Sequence, residues 1–212
     1  MIRRVALLPV TLLLAFVLPF AACAQTAPAV VEGTDYEVLE NPGTFDKVGK
    51  GEIEVAEVFA YTCHHCHDLA PKIDAWRAKL PKNVKVRYVP AGYDLDDPFG
   101  RAFFASQQLG TLSRTHAATF RALHDEQVLP MNPTDAELTA YYATQGVDAK
   151  KFTAALASPQ VAKNMQAARD FSLRIQLQGT PTIIVDGKYR VLGRSLDDML
   201  RIASALIANP PR

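Results

Sequence analysis

Cysteine is nearly missing from this chain, with three in 212 residues. So few cannot staple a scaffold together, so the fold must rest on a hydrophobic core. Net charge is missing too. Lys and Arg number 23 against 22 Asp and Glu, a formal +1, which leaves no basic excess or stripe for nucleic acid and excludes that class of partner. Repeats and low-complexity tracts are absent. What remains is apolar. Hydrophobic residues make up 49% of the chain, enough for one domain of ordinary size or a small fold with an insertion, and too many for wholesale disorder.

The N-terminus reads as a targeting segment. Arg3 and Arg4 precede an apolar run from about Val5 to Phe20, and Ala22-Cys23-Ala24 offers small residues for cleavage. The run is short for a membrane span and is broken by Pro9 and Pro19. Residues 1–24 are therefore expected to be a signal peptide, with the mature chain starting near Gln25. The alternative is a lipoprotein acylated at Cys23, against which stands Phe20 where such signals generally carry Leu. With Cys23 removed, Cys63 and Cys66 are the only cysteines, exported to an oxidising compartment.

Asp35 to Leu39 predicts a short strand ended by Asn41-Pro42-Gly43. Glu52 to Tyr61 alternates acidic and apolar residues, then turns apolar like a strand entering a core. Leu69, Ile73, Trp76 and Leu80 recur at helical spacing after it. Val84 to Val89 alternates as a third, half-buried strand. From roughly Asp97 to Gly179 the chain turns helical: Phe99–Leu109, Ser113–Val128, a helix opened by the capping box Thr134-x-x-Glu137 and stopped at Gly146, one from Asp148, and one capped by Ser158-Pro159. Thr182–Val185 and Tyr189–Leu192 flank Asp186-Gly187, a hairpin connection. Ser195 caps a last helix reaching about Ile207.

Cys63-His64-His65-Cys66 falls where the second strand hands over to a helix. Two thiols three residues apart at a helix N-terminus make a redox pair. Unsatisfied amides and the helix dipole there favour an anion, and it is the thiolate that attacks or leaves a disulfide. Gly179-Thr180-Pro181 enters the fourth strand, a place that invites a cis peptide bond.

Strand, Cys-x-x-Cys at a helix start, and a late Pro before a hairpin and final helix together resemble the thioredoxin fold. The helical block, the export signal and Glu57-Val58-Phe59-Ala60-Tyr61-Thr62-Cys63-His64-His65-Cys66 narrow the resemblance to the DsbA-like periplasmic thiol oxidases. It implies a thioredoxin-like α/β fold with an inserted helical domain: first part 25–96, insertion 97–178, second part 179–212. It further implies Cys63 as exposed nucleophile and Cys66 as buried partner. His65 would stabilise the Cys63 thiolate, Glu57 would be a buried acid exchanging protons with Cys66, and Thr180 and Pro181 would lie against the substrate. The activity implied is donation of the Cys63–Cys66 disulfide to folding exported proteins with thiols. No cofactor is implied beyond that disulfide, and reoxidation falls to a membrane quinone-linked reoxidase of DsbB type.

The chain departs from the family in two places. The family's best-known dipeptide is Pro-His, where this chain has His64-His65. His64 is either a second positive charge beside Cys63 or a solvated surface residue. Thr180 stands where the type oxidase carries Val, and Thr is common there in isomerases and reductases of related folds, so an isomerase or reductase is the alternative activity. The short leader before Asp35 leaves no room for an isomerase dimerisation domain, which favours a monomeric oxidase. Cys63-His64-His65-Cys66-His67 also matches the attachment motif of c-type haem, with Met131, Met165 or Met199 as a second axial ligand. The core strand before the motif and the hairpin after it speak against that electron-carrier reading. Two Cys and three His within five positions cannot all converge on one tetrahedral ion, so no structural zinc site is expected. His67 is expected at the helix surface, and His116 and His124 in structural or solvated roles. Trp76, Phe99, Phe103 and Phe104 are expected in the core, with some of these aromatics free to line an apolar surface near Cys63.

Overall fold

The computed structural model describes residues 29–211. The expected signal peptide and Cys23 lie outside these residues. The elements run β1 (Tyr36–Val38), β2 (Ile53–Phe59), α1 (His64–Arg77), β3 (Val84–Pro90), α2 (Pro98–Gln108), α3 (Leu112–His124), α4 (Asp135–Thr144), α5 (Ala149–Leu156), α6 (Pro159–Arg174), β4 (Thr182–Val185), β5 (Tyr189–Val191) and α7 (Leu196–Ala208). The strands form one sheet in the order β1-β5-β4-β2-β3, with β2 and β3 parallel and the other pairs antiparallel. Among the described residues no helix is long and apolar enough to cross a membrane.

Strand periodicity divides the core in two. Val55 of β2 and Ile183 and Val185 of β4 face a cluster completed by Leu69 and Ile73 of α1 and Ile202 and Leu206 of α7. Ala56, Val58 and Ile184, one residue out of step, face a second cluster with Phe103, Phe152, Met165 and Phe171 of the helices between β3 and β4. Glu57, two residues from Val55, shares the face that α1 covers. Trp76 ties α1 to α7 through its indole N–H, which donates to Ser204 Oγ at 2.8 Å.

Local signals set most element ends. Thr134 and Glu137 form the expected capping box, and Asp148, Ser158 and Ser195 cap their helices through the side chain. Asp186 and Gly187 both have positive φ (55° and 59°), the geometry of a tight primed hairpin turn. Two helices are shorter than the sequence predicts. Beyond Arg77, Lys79 and Leu80 bond three residues back, to the Trp76 and Arg77 carbonyls, and the helix tightens out before Pro81. Beyond His124, Asp125 and Glu126 both donate to the Arg121 carbonyl and Gln127 turns left-handed at φ 54°. That leaves Val128 exposed rather than helical.

Candidate active site

Cys63 is the N-cap of α1, extended at φ −86° and ψ 115°. Its Sγ accepts from the Cys66 N–H at 3.2 Å, doing with sulfur what Ser or Asp usually does with oxygen for the unpaired amides of a helix start. No acid occupies the first turn, so the positive end of the helix dipole meets that sulfur unopposed. Cys66 is buried, Cys63 half-buried, and both are free thiols.

The pair is split electrically. The Cys63 thiol is held down at about 5 against an ordinary 9.0. The hydrogen bond with the Cys66 thiol acts first. Burial pulls the other way, and the Thr180 side chain, the Cys66 amide and the charge of His65 add to the lowering. The same sulfur–sulfur bond, with burial, pushes the Cys66 thiol far up. The Thr180–Pro181 peptide is cis, and as a thiol Cys63 donates to the Thr180 carbonyl at 3.3 Å. The segment entering β4 thus abuts the half-buried sulfur of Cys63.

The histidines part company. His65 is exposed and lends its charge to Cys63. His64, its side chain 71% exposed, leans instead toward Asp68, with Nε2 3.6 Å from Oδ2. His67 is not the surface residue expected. It is wedged between carboxylates, with Nδ1 3.5 Å from Asp68 Oδ1 and Nε2 3.3 Å from Asp125 Oδ2, and its ring stacks on His124 with centroids 4.9 Å apart. The group of metal-ligating side chains that gathers among the described residues is His64, His67 and Asp68. It includes neither cysteine. Met165 and Met199, the haem reading's axial candidates, are packed into separate cores, and Met131 is exposed.

Glu57 is 2% exposed. Its carboxyl is pushed up to about 8, first by burial and then by the negative charges of Asp74 and Cys63. In register with it on β3 is Tyr88, whose hydroxyl donates to Asp74 Oδ1 at 2.7 Å.

Sequence reasoning missed what holds the β2–α1 connection. His116 Nδ1 lies 2.8 Å from the Tyr61 hydroxyl, and its ring packs on Tyr88 and Phe59. His124 Nε2 donates to the Tyr61 carbonyl at 2.7 Å. Both histidines of α3 therefore anchor the residue two before Cys63. A polar tip on Tyr61, at the end of an apolar strand, was the available signal, since a buried phenol needs a partner. Phe99, Phe103 and Phe104 are core residues as expected, at most 2% exposed, and none of the three lines an apolar surface. The apolar surface comes from elsewhere: a cavity of about 460 Å³ bordered by Gly92, Tyr93, Arg169, Ser172, Leu173 and Leu177. Its Tyr93 hydroxyl is pushed up first by burial, then by the charges of Cys63 and Cys66. Leu173, 65% exposed, sits off the buried stripe of α6 and was the legible sign.

Known proteins resemble this chain in sequence and fold. The DSBA-like thioredoxin domain profile matches residues 99–206. The thiol:disulfide interchange protein DsbA of Azotobacter vinelandii is 35% identical over 175 residues, 81% of each chain. That of Burkholderia cepacia is 34% identical over 172 residues, 80% of each. The crystal structure of the oxidoreductase DsbA from Xylella fastidiosa superposes with a TM-score of 0.81 at 40% identity, covering 84% of this chain and 96% of that one. With a Cys pair split between half-buried and fully buried sulfur beside a cis-proline, and relatives matched over four-fifths of their length, the chain belongs to the DsbA family of thiol:disulfide oxidoreductases.

Proposed function

We propose that this oxidoreductase donates a Cys63–Cys66 disulfide to thiols of newly exported proteins in the periplasm, and that a membrane quinone-linked reoxidase of DsbB type restores it. Cys63, the more accessible of the two sulfurs, is the one that substrate meets. A substrate thiolate attacks Cys63 Sγ, the Cys63–Cys66 bond breaks, and Cys66 leaves with the electron pair. Glu57, protonated at neutral pH in its buried site, supplies the proton that Cys66 takes up. A second substrate thiolate then attacks the substrate's own sulfur in the mixed disulfide, and Cys63 departs as a thiolate. Two electrons pass from substrate to the Cys pair, and one disulfide is exchanged for another. Thr180 and Pro181 lie against the incoming chain, and the cavity beside Tyr93 and Leu173 offers its apolar side chains a surface. The helices between β3 and β4 serve as the inserted domain.

The observation that supports this reading is the role of Cys63 Sγ as N-cap acceptor of α1 at 3.2 Å. A sulfur stabilised as the free cap is a good leaving group, and a disulfide that consumes that cap is a ready oxidant. The measurement is equilibration of the pair with glutathione in the presence of a chelator. A potential more oxidising than about −180 mV is expected. A value near about −270 mV, where thioredoxin-type reductants lie, would leave the isomerase or reductase alternative in its place.

A further inference from the structure

We propose that His64, His67 and Asp68, on the outer side of the first turns of α1, form a site for one divalent ion of the zinc type, distinct from the cysteine pair. His64, His67 and Asp68 stand at i, i+3 and i+4, so one helical face presents all three. Their ligand atoms lie within 4.8 Å of one another. The Asp68 carboxylate sits between the imidazoles, with Oδ2 3.6 Å from His64 Nε2 and Oδ1 3.5 Å from His67 Nδ1. Ligands about 2.0–2.1 Å from a tetrahedral ion stand about 3.3 Å apart. Each imidazole nitrogen thus lies near that spacing from a carboxylate oxygen of Asp68.

A second observation points the same way. His67 Nε2 is 3.3 Å from Asp125 Oδ2, and a carboxylate only accepts, so Nε2 carries the hydrogen. In the neutral imidazole the other ring nitrogen, Nδ1, is then a lone pair. It is shielded from solvent and has no hydrogen-bond partner, yet it faces a carboxylate oxygen at 3.5 Å. This contact calls for something positive between nitrogen and carboxylate: a proton on the imidazolium, or a metal ion on the neutral ring. Carboxylate, then imidazole, then open lone pair is the arrangement by which second-shell acids orient metal-binding histidines. His124 fixes the ring plane by stacking on it and spends its own Nε2–H on Tyr61. Two imidazoles and one carboxylate suit zinc-type ions. Calcium and magnesium, which take six or more oxygens, are not matched. Three protein ligands leave a fourth position open to water or an incoming donor.

Two Cys and three His within five positions cannot meet on one ion, but the helix brings Asp68, rather than sulfur, to His64 and His67.

The test uses the mature chain with Cys63 and Cys66 closed as a disulfide, so that thiolates cannot compete for the ion. Calorimetric titration with zinc chloride is expected to show one ion per chain. Asp68→Asn and His67→Gln should each weaken binding at least tenfold, and Asp125→Asn about 10- to 100-fold. Cobalt(II) in place of zinc should give the visible absorption of a four- or five-coordinate centre. Absence of zinc binding to the oxidised wild-type chain overturns the proposal. So does binding that Asp68→Asn leaves unchanged, since that carboxylate is 43% exposed and its replacement spares the core.

Discussion

Two ionisable residues are buried on either side of Tyr88, and they pull stability in opposite directions with pH. His116 is held down at about 4 by burial, with the Arg77 charge helping and Asp74 opposing. Between about 4 and 6.5 the unfolded chain carries a proton that the folded chain refuses. The stability due to neutral His116 is therefore full above 6.5 and lost as pH falls, about 3 kcal/mol by pH 4 at about 1.36 kcal/mol per pH unit. Glu57 is the reverse. Its folded carboxyl, near 8, keeps a proton that the unfolded chain loses above 4.5, so its contribution is full below 4.5 and lost as pH rises through about 8. From 4.5 to 6.5 the two slopes cancel. We expect Glu57→Gln to uncover the acid-side loss, with urea midpoints dropping between pH 6.5 and 4. His116→Gln should instead gain stability steadily from pH 8 down to 4.5. Oxidised protein is the proper sample, because closing the disulfide removes the Cys63 charge and leaves burial and Asp74 to hold Glu57 up. Variants that parallel the wild-type curve would mean that neither group is buried as described.

At the scale of elements, the connection leaving β3 is fixed by a contact that admits no side chain. A Cβ on Gly92 would stand 2.3 Å from the Cα of Arg169 on α6, backbone against backbone. The Gly92 amide meanwhile donates to Ser172 Oγ at 3.1 Å. Gly92→Ala must therefore separate β3 from α6, and should cost at least about 1–3 kcal/mol by urea unfolding and displace Tyr93 from the cavity it borders with Leu173. An unchanged midpoint would show that α6 yields freely. This contact marks the limit of what the chain declares in advance. Caps such as Thr134, Ser158 and Ser195 were legible because donor and acceptor are three residues apart, and the Cys63–Cys66 pair was legible for the same reason. Gly92 against Arg169, Tyr61 against His116 and His124, and His67 against Asp125 span dozens of residues, and no local pattern encodes them. The ends of α1 and α3 were overestimated because apolar spacing continues past points where the backbone tightens or turns left-handed.

For the whole molecule, the redox state of two sulfurs must be felt in the stability of all the rest. On the chain-entropy view, the crosslink closes a loop of only four residues and constrains the unfolded chain by about 2 kcal/mol, in favour of the oxidised form. Against it stands what the folded dithiol gains and the disulfide forfeits: the Cys63 sulfur as free acceptor of the Cys66 N–H, its bond with the Cys66 thiol, and the attraction of His65. The unfolded chain has none of these. If the native contacts outweigh the crosslink, folding favours the dithiol, and by the same cycle the disulfide is driven onto substrates. We expect the reduced chain, kept in a chelator, to melt above the oxidised chain. A net 2 kcal/mol would appear as roughly 4–8 °C in a domain of this size. Equal or reversed melting points would mean that the native contacts do not outweigh the crosslink, and folding would then not drive the disulfide onto substrates.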